Sequence, residues 1–325
     1  MAPEQEMSQE ERIALAKEAI YGARGLRTEP EPEEEPEPYV LPFPAPNYDP
    51  DPEPTTTDLI RKLLVSVSAI GMAFTAGLVF GPHGVTAPEK FPHGYFAADY
   101  SALSLFPETH LMWLLLMVGA LTHAVFQWWP TQTSTPRQRR SGYYVAGLNL
   151  SAVLWLLGAH LGWALLAFTG ALAGAVCGWL AIRELNRRTA RYNTERLCTD
   201  APIGLYAGWF LALTATTLAV LLTSWKWDLW IPDFIWALIA VALLTWLAAH
   251  LCMTERGRVS VALGVGAGLA GIMIARLFGE HNSVWVALLA GSCAFVLLLV
   301  TENRRYRIKH AEHRAQRGLA TEFDE

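Results

Sequence analysis

The chain has 325 residues, 52% of them hydrophobic and 17% charged, with 13 tryptophans and a formal net charge of −5. Ordinary soluble domains carry about 25% charged residues, so the composition argues against a soluble globular protein. The small net charge hides a segregation of N-terminal acids from bases in alternate loops, and no nucleic-acid partner is expected.

In chain order, SQEERIALAKEAIYGARGL opens with Ser8 and Glu11 at capping-box spacing, which predicts a short helix over 9–23 within a cytoplasmic segment 1–27. Residues 28–58 hold ten Asp/Glu, ten Pro and no Lys or Arg. Such a stretch buries no core and its prolines favour an extended, solvated chain, so a disordered acidic Pro-rich linker is expected. No apolar core of a signal peptide appears, and the first span is expected to stay in the mature protein.

Eight stretches then reach the ~20 apolar residues that a bilayer core requires, near 60–80, 111–129, 143–161, 163–182, 203–224, 232–252, 259–277 and 283–301. The expected fold is all-α, a polytopic membrane helix bundle. Five helices fall in 59–224, three more in 225–303, and a basic tail follows over 304–325. Arginines gather before span one and after spans two, four, six and eight (Arg61, Arg137, Arg187, Arg256 and Arg304 among them), while the alternate loops hold only Lys90, Lys226 and Arg276. The positive-inside rule then places both termini in the cytoplasm, an arrangement that suits a plasma membrane.

The first long loop combines Phe91, Tyr95, Phe96, Tyr100 and Phe106 with His83, His93, Glu108 and His110. It reads either as an aromatic cap over a flat ligand or as an interfacial loop lying on lipid headgroups. It leads into SLFPETHLMWLLLMVGALTHAVFQWWP (104–130), where Glu108 and His110 face apart if helical. His110 and His123 stand ~20 Å apart along a helix, too far for one site. A neutral His123 bonded to a neighbouring helix is the simplest reading. In span three Asn149 is the deepest amide, and it wants a partner or a ligand.

Span four repeats Gly170, Gly174 and Gly178, a ridge for close helix packing, and the G-x-G-x-G of span seven is read the same way. Trp128, Trp129 and Trp179 fall at one end of the spans and Trp113, Trp163, Trp225, Trp227, Trp230 and Trp285 at the other, as in interfacial belts. Trp155, Trp209, Trp236 and Trp246 fit a belt less well. The cysteines, Cys177, Cys198, Cys252 and Cys293, are not spaced as a metal or redox set and read as ordinary thiols. No H-E-x-x-H, paired mid-span carboxylates or nucleophile motif appears, so an enzyme is not expected.

Phe106-Pro107 leading to Trp113, then Asn149 and Trp155 in SGYYVAGLNLSAVLWLLG, then Pro202, Leu205, Tyr206 and Trp209 in APIGLYAGWFLALTATTLA, resemble the tryptophan-rich sensory protein family, TspO or translocator-protein-like. Thr214, Thr216 and Thr217 stand where the family's fifth helix carries an Asn. The resemblance covers about 60–224, spans six to eight being an extension as in long members. It implies a five-helix bundle whose pocket opens to the first loop, lined here by Phe106, His110, Trp113, Asn149, Trp155, Tyr206 and Trp209. The implied ligand is a tetrapyrrole such as protoporphyrin or haem, or a sterol-like lipid, with membrane lipids around the bundle and homodimers common. No tightly held cofactor or metal site is expected. Two other functions stay open: an accessory subunit whose acidic tail tethers a basic protein, and a small-molecule transporter.

Overall fold

The first membrane helix begins where the prolines stop. In the computed structural model, which describes residues 13, 16, 43, 44, 46, 48–80, 91–227 and 230–317, α1 runs Thr56–Phe80. The Thr55 backbone N–H and hydroxyl both donate to the Asp58 carboxylate at 2.9 Å, which satisfies donors that an uncapped first turn leaves open. Seven more long helices follow: α2 (Met112–Phe126), α3 (Pro136–His160), α4 (Ala164–Leu185), α5 (Ala201–Ser224), α6 (Asp233–Cys252), α7 (Val259–Phe278) and α8 (Val284–Ala315). The 3-10 turn Pro107–Leu111 leads into α2, and the π turn Arg196–Asp200 into α5. Pro107, Pro136 and Pro202 each stand in a first turn, where their missing N–H costs nothing. All eight helices are long and apolar enough to cross a membrane, and no strand occurs among the described residues.

The chain divides into a unit of residues 41–310 and a second of residues 1–40 with 311–325. The helix expected over 9–23 is described only at Ile13 and Ala16, both helical. The basic tail is helical as far as Ala315.

Within the larger unit α3 packs on α4, α4 on α5, α5 on α7, α1 on α2 and α3, and α6 on α7. The glycine ridges set these distances. A Cβ at Gly170 would lie 2.6 Å from the Trp155 backbone nitrogen, one at Gly178 2.9 Å from Ala207 Cα, and one at Gly264 2.7 Å from the Trp209 nitrogen. At these points backbone meets backbone, which is how helices gain dispersion energy in lipid. Gly266, between Gly264 and Gly268, meets nothing within 4 Å, so the G-x-G-x-G of α7 is a one-faced packing surface.

At the basic end of the helices the charges are paired. Arg137 Nη1 and Nη2 donate to Glu195 and Asp200 at 2.8 Å, and its Nε donates to the Arg188 carbonyl. Arg139 holds Asp58 at 2.6 Å, and Arg258 holds Glu255 and the Asn186 amide oxygen at 2.8 Å. The described part of the acidic linker joins this network. Asp51 pairs with Arg191 at 2.8 Å, the Glu53 carbonyl accepts from Arg139, and Phe43 is buried beneath the Arg256 guanidinium. The linker assigned to 28–58 therefore has its last residues, 56–58, in α1, and its residues 48–55 follow an irregular path held by the chain's own arginines. Residues 28–42 lie outside the described residues.

Candidate functional site: a buried aromatic cluster

Ten of the thirteen tryptophans are exposed to some degree on the helix surfaces, and three are fully buried: Trp113, Trp155 and Trp209. They come from α2, α3 and α5 and meet one another. Trp113 stacks on Trp155 at 5.1 Å between centroids and meets Trp209 edge-on at 6.3 Å. Trp113 thus leaves the interfacial belt in which its position placed it: the turn Pro107–Leu111 starts the helix early, so its ring enters the bundle. Trp236 and Trp246, by contrast, are exposed.

His110 completes the cluster. It stacks on Trp155 at 5.7 Å and on Phe80 at 6.0 Å, and it stands edge-on to Trp209 at 6.4 Å. Glu108, two residues earlier, is exposed, as the opposed faces predict. From the first loop, Phe96 covers Trp155 edge-on at 5.3 Å, and Phe91 stands edge-on to Phe96 at 6.0 Å. Deeper in the bundle Tyr206 stacks on Phe210, which meets Trp113.

Of the seven residues singled out by sequence, His110, Trp113, Trp155 and Trp209 share this cluster and Tyr206 adjoins it through Phe210. Asn149 lies apart: its amide donates to Ser68 at 3.2 Å, across to α1. Phe106 forms no ring pair with the cluster among the described residues. Its backbone N–H instead donates to the Gly271 carbonyl of α7 at 3.1 Å. His123 contacts the Cys198 carbonyl through Nδ1 at 3.2 Å, the neighbouring-element bond expected for it.

The polar atoms of the cluster are poorly matched. Trp155 Nε1 donates to Thr217 at 3.1 Å. His110 Nδ1, Trp113 Nε1, Trp209 Nε1 and the Tyr206 hydroxyl are buried without any hydrogen-bond partner among the described residues. Each such atom costs about 1–3 kcal/mol of desolvation, so four together mark a place where the fold is not optimised for itself. The space beside them is small. Cavities of about 10 Å³ lie against His110, Phe96 and Trp155, and against Tyr206, His123 and Asn149. A much larger groove of about 660 Å³ lies at the basic end, lined by Leu121, Val125, Phe126, Trp129, Gln132 and Tyr192 among others.

Phe96 stood in a loop read either as an aromatic cap or as an interfacial loop, while sequence reasoning passed over Phe80 and Phe210 and gave α7 no part. Yet Gly264 backs Trp209 and Gly271 touches Thr109. The Gly271 signal lay in the small residues of span seven. Nothing in the sequence marked Phe80. All four cysteines are free, and no group of three or more His, Cys, Asp or Glu that could hold a metal occurs among the described residues.

These features define a multi-pass helical membrane protein with a tryptophan-lined interior. The model of the family described as TSPO-like protein matches residues 106–301, and the chain belongs to that family. The match takes in α6, α7 and the apolar part of α8, the helices set apart above as an extension, and leaves out α1. No curated protein and no solved structure matches the chain.

Proposed function

We propose that this TspO-like protein is a non-enzymatic ligand-binding or sensory protein that takes a flat, mostly apolar ligand, such as a tetrapyrrole, at the aromatic cluster. The observation that carries this reading is the set of unpartnered buried atoms on His110, Trp113, Trp209 and Tyr206 among stacked rings. Stacked aromatic walls with a few placed polar atoms suit a planar ring bearing acceptors. A ligand of that size needs several hundred Å³, far more than the cavities of about 10 Å³. Binding therefore requires Phe96 and the first loop to move off Trp155. His110, whose Nδ1 has no partner among the described residues, would supply a nitrogen ligand to a haem iron. The positive-inside charge pattern supports cytoplasmic termini and a plasma-membrane location, and dimerisation would use the exposed helix faces.

A second reading is favoured by the groove of about 660 Å³, where the buried Gln132 Oε1 has no partner. It suits a sterol-like lipid whose hydroxyl would donate to Gln132. The acidic tail carries a weaker claim as a tether for a basic protein, since Asp51 and Asp58 already pair within the chain.

Titration of detergent-purified protein with protoporphyrin and haem, read by tryptophan quenching and the Soret band, tests the first reading. Saturable binding weakened by Trp209→Ala, with a haem band shift lost in His110→Ala, is expected. Binding weakened instead by Val125→Trp, which fills the groove, would transfer the site to the basic end. No saturable binding of either compound would remove the tetrapyrrole reading.

A further inference from the structure

Arg276 is buried to 1% exposure near the end of α7, the end that meets the first loop. Its Nη2 donates to the Ala98 carbonyl of that loop, and its Nε has no hydrogen-bond partner among the described residues. Asp99, next to Ala98, acts on it electrostatically but forms no ion pair with it, and no other carboxylate among the described residues does. This sets it apart from the other deeply buried arginines: Arg137 and Arg258 hold carboxylates at 2.8 Å, and Arg61 lies 3.8 Å from Asp58. A buried guanidinium that hydrogen-bonds a neutral carbonyl and only senses Asp99 from a distance is an expensive arrangement in a membrane protein, and such residues face a partner or a pathway.

Its surroundings tie it to the aromatic cluster. Ala98 is two residues from Phe96, the ring that lids Trp155 at 5.3 Å. One helical turn or so below Arg276, the Gly271 carbonyl accepts from the Phe106 N–H, and Gly271 abuts Thr109 beside His110. Five residues of helix separate Gly271 from Arg276, a rise of about 7.5 Å. The guanidinium thus holds the loop two residues from the ring that covers Trp155.

We propose that Arg276 is the anchor for an anionic group, a carboxylate, carried by the ligand of the aromatic cluster. This rests on the reading of the cluster as a ligand site and narrows the ligand class to flat apolar acids. A carboxylate is the better acceptor for this guanidinium, since it accepts two charge-assisted bonds where the Ala98 carbonyl accepts one. Exchange of one for the other frees the Ala98 segment, so capture of the acid and withdrawal of the Phe96 lid are one event. It also gives α7 a role at the site: its glycines back Trp209 and carry the cation to the entrance.

The test compares protoporphyrin with its dimethyl ester, which has the same ring and no ionisable carboxyl, on the full-length protein in detergent. Wild type is expected to bind the diacid about tenfold or more tightly than the ester. Arg276→Gln should abolish the preference for diacid over ester, whatever the absolute affinity of each once the Ala98 segment is released, and Arg276→Lys should restore part of the preference. Equal binding of diacid and ester by wild type, or a preference that survives in Arg276→Gln, would overturn the anchor while leaving the tetrapyrrole site standing. If neither compound binds wild type, anchor and site reading fall together. Should Arg276→Gln fail to fold, as judged by gel filtration, the wild-type comparison and Arg276→Lys decide.

Discussion

The two ends of the same helices solve the problem of buried polarity in opposite ways. At the basic end Arg137 spends all three of its nitrogens on Glu195, Asp200 and the Arg188 carbonyl, and Gln138 reaches Thr199 at 3.0 Å. Some twenty residues further along α3, Trp155 sits among His110, Trp113 and Trp209, whose Nδ1 and two Nε1 atoms have no partner among the described residues. The first pattern locks α3 to the turn that precedes α5, so it specifies the fold. The second leaves desolvation uncompensated in the place with the most aromatic surface, as expected where a ligand supplies the missing acceptors. The contrast is one of degree, because Arg61 Nε and Nη1, His123 Nε2, Gln127, Gln132 Oε1 and Gln138 Oε1 toward the basic end are also unmatched among the described residues, and Gln132 faces the groove. What sets the other end apart is that its unmatched atoms lie among stacked rings.

The largest test of the contrast removes a satisfied partner. Arg137→Ala would leave Glu195, 2% exposed, with only the Arg191 backbone N–H as donor, and would take from Asp200 its guanidinium partner. Breaking a buried pair in this way costs about 3–5 kcal/mol. The expected result is loss of most folded protein after detergent extraction, measured by thermal unfolding and gel filtration. A variant as stable as wild type would show that the network is incidental. Next in size is Gly264→Ala on α7. The new methyl would stand 2.7 Å from the Trp209 nitrogen and still closer to the Leu205 carbonyl, and backbone cannot step aside. Overpacking of this kind costs about 1–3 kcal/mol. Because Trp209 rides on the displaced segment, tryptophan emission should shift along with the melting temperature. A fall in stability without a spectral change would mean that α7 supports the bundle and not the cluster.

How much of this was legible beforehand depends on the range of the contact. The spans were legible, because length and hydropathy are local. The largest displacement of a helix start is at α3, which begins at Pro136 and not near 143, since hydropathy discounts Arg137 and Gln138 and cannot see that Glu195 neutralises the one and Thr199 hydrogen-bonds the other, while α8 runs on past 301 to Ala315 through its charged residues. The glycine ridges were legible for the same local reason. The indoles of Trp155 and Trp209 stood out as deep positions, and the family resemblance added His110 and Trp113. Asn149 could not be resolved from sequence, because a buried amide looks the same whether its partner is a ligand or, as here, Ser68. The lid of Phe96 over Trp155 and the bond from Arg276 to Ala98 join residues far apart in the chain, and no spacing encodes them.

Two conservative substitutions give the contrast its finest test, one on each kind of atom. Trp155 is the cluster indole that has a partner, so Thr217→Val should leave Nε1 unmatched and lower stability by about 1 kcal/mol. Tyr206→Phe deletes a hydroxyl that has no partner, without opening a cavity in the ring stack with Phe210. Removing an unsatisfied buried group recovers its desolvation penalty, so the variant should be at least as stable as wild type, with a gain of up to about 1 kcal/mol. Opposite signs for two changes of similar size, measured as melting temperatures in the same detergent, would establish that matched and unmatched atoms differ as the geometry indicates. A destabilised Tyr206→Phe would mean that the hydroxyl has a partner after all. A water in the small cavity it shares with His123 and Asn149 would then be the first place to look, since the space of about 10 Å³ there is close to what one water needs.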